Sequence, residues 1–188
     1  MLFRSYKMLG MLVTMALLFA AIPVGSAQAA TLCVNPGGTD GCYAKIQDAV
    51  NAAVAGDTIE VWDGTYDYTS EGEPDDNGLI KVSKPLTIKA LEDGNGIRPV
   101  INGTGNDGVF KIYTETFSSG TVVIEGFDIT GDPTVGIAIT APMYQYPGQE
   151  NTVIIRDNLI HGMIGGLDFW GTTTFVPGTP DPAYAITS

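Results

Sequence analysis

Between Thr58 and Trp170 the chain alternates apolar and polar residues in short runs, each bounded by Gly, Asn, Asp or Pro. The runs are TIEVW, LIKV, LTIKA, VFKI, TVVIE, FDIT, GIAI, TVIIR, LIHG and LDFW. A period of two puts successive side chains on opposite faces of an extended backbone, so each run predicts a half-buried strand. One stretch breaks the pattern. In AKIQDAVNAAVAGD, residues 44–57, Ile46, Ala49, Val50, Ala53 and Val54 recur at helical spacing while Lys45, Gln47, Asp48 and Asn51 face away. This predicts one amphipathic helix that stops near Gly56.

The strands also recur in step. TVVIEGFDITG, residues 121–131, returns thirty-one positions later as TVIIRDNLIHG, residues 152–162. A first set aligns Ile80/Val82 with Phe110/Ile112, Ile137/Ile139 and Leu167/Phe169, in steps of 30, 27 and 30. A second aligns Leu86/Ile88 with Val122/Ile124 and Val153/Ile155, in steps of 36 and 31. A third runs Val100, Ile129, Ile160, in steps of 29 and 31. Gly78, Gly108, Gly136 and Gly166 precede the first set, which predicts corners with a backbone geometry that glycine adopts cheaply. Three short strands cannot bury their own apolar face. Stacking like units in parallel gives every strand a partner and encloses a continuous core. The expected fold is therefore all-β, a parallel solenoid whose lone helix covers the first turn and shields its open edge.

The first residues change where that fold begins. Arg4 and Lys7 precede an apolar run from Met8 to Ile22, and SAQA, residues 26–29, supplies small residues two apart. This reads as a secretory signal peptide cleaved after Ala29. Its removal leaves 159 residues and takes the formal net charge from −12 to −14. Such acidity speaks against nucleic acid and anionic membrane as partners. Cys33 and Cys42 are the only cysteines, and export predicts a disulfide between them. With His161 as the only histidine, a tetrahedral zinc site is a poor reading. The expected organisation is a signal peptide over 1–29, an N-terminal cap of disulfide loop and helix over 30–57, stacked turns over 58–175, and a loop-like end over 176–188. That last segment reads as the start of a further turn.

IQDAVNAAVAGDTIEVWDGTYDY, residues 46–68, with VSKPLTIKA, residues 82–90, resembles the opening of right-handed parallel β-helix proteins of the pectin-lyase-like superfamily. IIRDNLIHG and GGLDFWG are similar to its β-helix repeats. The resemblance implies a right-handed parallel β-helix and a monomeric, extracellular, polysaccharide-directed protein. If it is an enzyme, the resemblance implies a lyase or glycoside hydrolase, with catalytic turns beyond this chain. The rival reading is a non-enzymatic surface solenoid, an adhesin or glycan-binding spacer. Neither the paired aspartates of polygalacturonases nor the tryptophan-isoleucine-aspartate-histidine run of pectate lyases is found in the sequence.

Strand phase nominates the candidate residues. Lys111, Tyr113, Asp168 and Trp170 fall on the outward face of the first strand set. Aromatic planes beside charged groups suit a sugar chain, which stacks through its apolar faces and hydrogen-bonds through hydroxyls and carboxylates. Tyr144 and Tyr146, in the long loop TAPMYQYPGQE over 140–150, could wall such a groove or shelter the outward Val123 and Ile154. Lys89, Glu125 and Arg156 stack with alternating sign. A charge ladder explains the row more simply than catalysis by Arg156. Asp75 and Asp76 in EGEPDDNG, with Asp107 at the next corner, offer the oxygen ligands calcium takes, although an acidic solvated turn is the commoner meaning of that pattern.

Overall fold

A computed structural model of the chain describes residues 28–72, 78–91, 96–103, 108–131, 135–140, 150–163, 165–170 and 186–187. For residues 135, 139–140, 150, 167–170 and 186–187 it describes the backbone pairing alone. The elements begin with β1 (Thr31–Val34), α1 (Ile46–Ala52), β2 (Thr58–Val61), β3 (Thr65–Asp67), α2 (Tyr68–Glu71), β4 (Ile80–Val82) and β5 (Thr87–Ala90). They continue with β6 (Val100–Asn102), β7 (Gly108–Tyr113), β8 (Ser119–Glu125), β9 (Asp128–Thr130) and β10 (Val135–Thr140). The last are β11 (Glu150–Arg156), β12 (Leu159–His161), β13 (Gly165–Trp170) and β14 (Ile186–Thr187).

The strands form three sheets, all paired in parallel: β1-β2-β5-β8-β11, β4-β7-β10-β13, and β3-β6-β9-β12-β14. From β2 to β13 the chain visits the first, third and second of these in that order, four times over. Each strand therefore pairs with the strand one visit later. The expected first and second sets hold residue for residue: Ile80, Phe110, Ile137 and Leu167 align, as do Ile88, Ile124 and Ile155. Ile59 extends that second row downward. Ile59, Ile88 and Ile124 are fully buried and Ile155 is nearly so. Burying each such side chain is worth roughly 1.5–3 kcal/mol.

Three expectations are corrected. In the third row Ile101, not Val100, stacks on Ile129, because Val100 pairs with Asp128. Two adjacent apolar residues left the phase of that strand ambiguous. The four glycines do not form one row either. Gly108 aligns with Val135 and Gly165, one place out of step with Gly136 and Gly166. Gly78, Gly136 and Gly166 do not take positive φ, so turn geometry is not what they supply; at Gly136 a Cβ would lie 2.7 Å from Met163 Sδ and 2.9 Å from Gly166 O. The requirement there is space. Finally, the helix is shorter than expected, and Val54 is 59% exposed because the backbone turns extended at Ala53.

The ends of the sheets explain why α1 lies where it does. Ile46, Ala49 and Val50 bury against β1, β2 and β4. Among the described residues no strand follows beneath β4 in the second sheet, and Gln47 fills that role: its Oε1 accepts Lys81 N–H at 2.7 Å and its Nε2 donates to Lys81 O at 3.4 Å. The N-terminus of α1 lacks a local side-chain cap. Instead Asp67 and Ser70 form a capping box that starts α2, and α2 delivers Glu71 to α1. Glu71 Oε1 accepts Ile46 N–H at 2.8 Å and Oε2 accepts Gln47 N–H at 3.0 Å. At β1 the expected disulfide is present between Cys33 and Cys42, and Tyr43 returns to bridge Val34 in parallel. The amide of Asn35 clasps Thr39 within this loop. Ile186–Thr187, from the segment expected to be loop-like, pairs with β12.

Candidate functional site

The outer face of the β4-β7-β10-β13 sheet is built by alternation. In β7, Phe110 and Ile112 point into the core while Lys111 and Tyr113 are only half-buried. Parallel register then aligns the other strands with these positions. Lys81, Lys111, Ala138 and Asp168 form one row, and Tyr113, Thr140 and Trp170 form the next, two residues along. Lys111 and Asp168 flank Ala138 from opposite sides, roughly 9–10 Å apart at twice the spacing of paired strands. Tyr113 and Trp170 flank Thr140 in the same way.

Lys111 Nζ stands 5.5 Å from the centroid of the Tyr113 ring, a cation–π approach. The pair thus presents an aromatic plane with an ammonium against its face. Strand register sets four of the six expected sugar-contacting residues, Lys111, Tyr113, Asp168 and Trp170, in two adjacent rows of one sheet. Tyr144 and Tyr146 lie outside the described residues. So do Asp75, Asp76 and Asp107, the calcium candidates. Among the described residues no group of three or more His, Cys, Asp or Glu is placed to hold a metal ion, and no helix is long and apolar enough to cross a membrane.

The charge row stands on the β1-β2-β5-β8-β11 sheet and is longer than the sequence indicated. Glu60, Lys89, Glu125 and Arg156 are register partners in succession. Lys89 Nζ lies 3.1 Å from Glu60 Oε1, and Arg156 Nη2 donates to Glu125 Oε2 at 2.7 Å. That bond, together with the carboxylate charge, raises the Arg156 pKa further above its already high value. A guanidinium so held takes no proton from a substrate. Beside the row, a groove of about 690 Å³ is lined by Lys89, Leu91, Ile97, Arg98, Glu125 and Asp157. Its cations are engaged, since Arg98 Nη1 donates to the Asp157 carbonyl.

A histidine–carboxylate pair escaped the sequence. His161 Nε2 lies 2.8 Å from Asp128 Oδ1, and Nδ1 lies 3.5 Å from Thr130 Oγ1. A carboxylate only accepts, so Nε2 carries the proton. The signal was the thirty-one-residue repeat itself, which sets β12 beside β9 and His161 on the face of Asp128 and Thr130. At 3.5 Å the hydroxyl makes too weak a bond to be activated as a nucleophile. The trio is a cross-strand clasp.

Comparison with protein-family models, with curated proteins and with solved structures gives no match.

Proposed function

We propose that the chain is the N-terminal part of a secreted right-handed parallel β-helix protein, similar to the pectin-lyase-like superfamily, that binds or processes extracellular polysaccharide. The outer face of the β4-β7-β10-β13 sheet is its glycan platform. The observation that carries this reading is the joint presence of Lys111 over the Tyr113 ring and, in the same two rows, of Asp168 and Trp170. Aromatic rings stack on the C–H faces of sugars, and an ammonium or carboxylate between them reads uronate or hydroxyl groups. Three parallel sheets visited in fixed order support the solenoid.

The rival reading, a glycan-binding spacer without catalysis, is favoured by one observation. Arg156, the cation considered for an elimination, is tied to Glu125. Both readings need the platform, and one assay separates them. The protein is incubated with a panel of neutral and uronate polysaccharides, and binding is measured alongside unsaturated products and reducing ends. Tyr113→Ala and Lys111→Gln should each weaken glycan binding several-fold, in line with one lost stacking or charge contact. Binding unchanged in both variants would overturn the platform. Binding without products, for full-length protein, selects the spacer.

A further inference from the structure

Ala30 stands where the chain enters the fold. Its carbonyl accepts Thr58 N–H at 2.9 Å, the first contact with the strand beside it, and its own N–H donates to Asp57 Oδ1 at 2.8 Å. The other carboxylate oxygen of Asp57 accepts Val54 N–H at 2.8 Å. Asp57 is only 3% exposed, whereas Gln28, Ala29 and Ala30 are all exposed. These two backbone bonds hold the Asp57 carboxyl below its usual range, so it carries its charge inside the protein. Lys84 contributes from a distance only, because its ammonium is spent on the carbonyls of Ala53 at 2.7 Å and Asn51 at 3.2 Å. Both oxygens of this carboxylate accept from neutral amides, so replacing one of those amides by a charged donor would add a countercharge at a bond already in place.

The sequence independently nominates the Ala29–Ala30 bond for cleavage, from SAQA at residues 26–29. We propose that Ala29–Ala30 is a processing site whose product completes the cap: the α-ammonium of the exposed Ala30 forms an ion pair with the buried carboxylate of Asp57. Hydrolysis by a leader peptidase adds one water across the amide. Ala29 leaves with the carboxylate, and the Ala30 nitrogen, now an amine, takes up a proton. That nitrogen already lies at hydrogen-bonding distance from Asp57 Oδ1, so no rearrangement is needed. One neutral donor becomes three on a charged group, and a charge-assisted bond is about twice as strong as a neutral one. The two remaining protons face water, since Ala30 is exposed. A chain beginning one residue earlier would carry its charge past the carboxylate, and one beginning at Thr31 would lack the donor.

The test starts with the protein exported under its own leader. Mass analysis of the mature chain should give Ala30 as its first residue. Selective acetylation of the α-amine then restores a neutral N–H while removing the charge. It should lower Tm by on the order of 2–4 °C, and by far less in Asp57→Asn. A version that retains Ala29 as its first residue should be destabilised like the acetylated protein, which decides the matter even if Asp57→Asn does not fold. A mature chain beginning elsewhere, equal stability of the Ala29 and Ala30 forms, or an acetylation effect that ignores Asp57 would each overturn the proposal.

Discussion

The side-chain amide of Gln47 holds both backbone groups of Lys81, accepting its N–H at 2.7 Å and donating to its carbonyl at 3.4 Å. A helix residue thereby takes the place of a neighbouring strand at the β4 edge, where the described residues supply none. An uncovered edge is a template for another chain. Gln47→Ala should cost about 1–2 kcal/mol from the unmade bonds, and should raise the population of higher oligomers. Urea unfolding and light scattering measure the two effects separately.

Glu71 ties two distant parts of the cap. Its carboxylate accepts two N–H groups from the first turn of α1 across 24 and 25 residues of sequence. Glu71→Ala leaves both donors unpaired and should cost about 1–3 kcal/mol. The pH dependence has a definite sign. Burial raises the Glu71 pKa above its ordinary 4.5, against the pull of the two backbone bonds and Lys45. A carboxyl raised on folding contributes stability that is present below the unfolded pKa and is lost as pH rises through the folded one. The advantage of the wild type over Glu71→Gln should therefore be largest below pH 4.5 and shrink above it. Chemical unfolding of both proteins across acid to neutral pH checks this.

Two successive corners between the first and third sheets, β8 to β9 and β11 to β12, are made by different residues. Gly126 takes φ 87° after β8, and Asp157 takes φ 55° after β11. Asn158 then reaches down a level, its Oδ1 accepting Phe127 N–H and its Nδ2 donating to Ile124 O, both at 2.9 Å. Gly126→Ala should cost at least about 1–2 kcal/mol for left-handed backbone, with a further penalty because its Cβ would lie 2.9 Å from Ala90 Cβ. Asp157→Gly should stay within about 0.5 kcal/mol of wild type. Opposite outcomes in thermal unfolding would show that the corners are not equivalent.

Arg156 is a structural cation on this account. Its side chain is 54% exposed, so its bond to Glu125 contributes at most about 1 kcal/mol and is weakened by salt. Arg156→Gln should change stability slightly at low ionic strength, less at high, and leave glycan turnover, where it exists, unaltered. A large loss of turnover with normal binding would assign Arg156 to chemistry.

What could be read from the sequence follows how local each signal is. Ile88, Ile124 and Ile155 were legible because an inward residue recurs with one period, and the face of Lys111 and Tyr113 follows from the same alternation. Val100 against Ile101 was not, since two apolar neighbours satisfy either phase. The strands Thr31–Val34 and Thr65–Asp67 are too short to show a period. Glu71 and Gln47 looked like surface residues of acidic and helical segments. Their partners, Ile46 and Lys81, are brought close only by the stacking of the sheets. Asp128 and His161 escaped for the same reason, and Asp57 revealed its role only beside Ala30.

The stacking itself is open to one direct measurement. In protein labelled at isoleucine methyl groups, nuclear Overhauser contacts should run in a single chain from Ile59 to Ile88, Ile124 and Ile155, matching the strand register. Ile59 and Ile155, three strand spacings or roughly 14 Å apart, should show none. Absence of the Ile124–Ile155 contact, or a direct Ile59–Ile155 contact, would contradict the account.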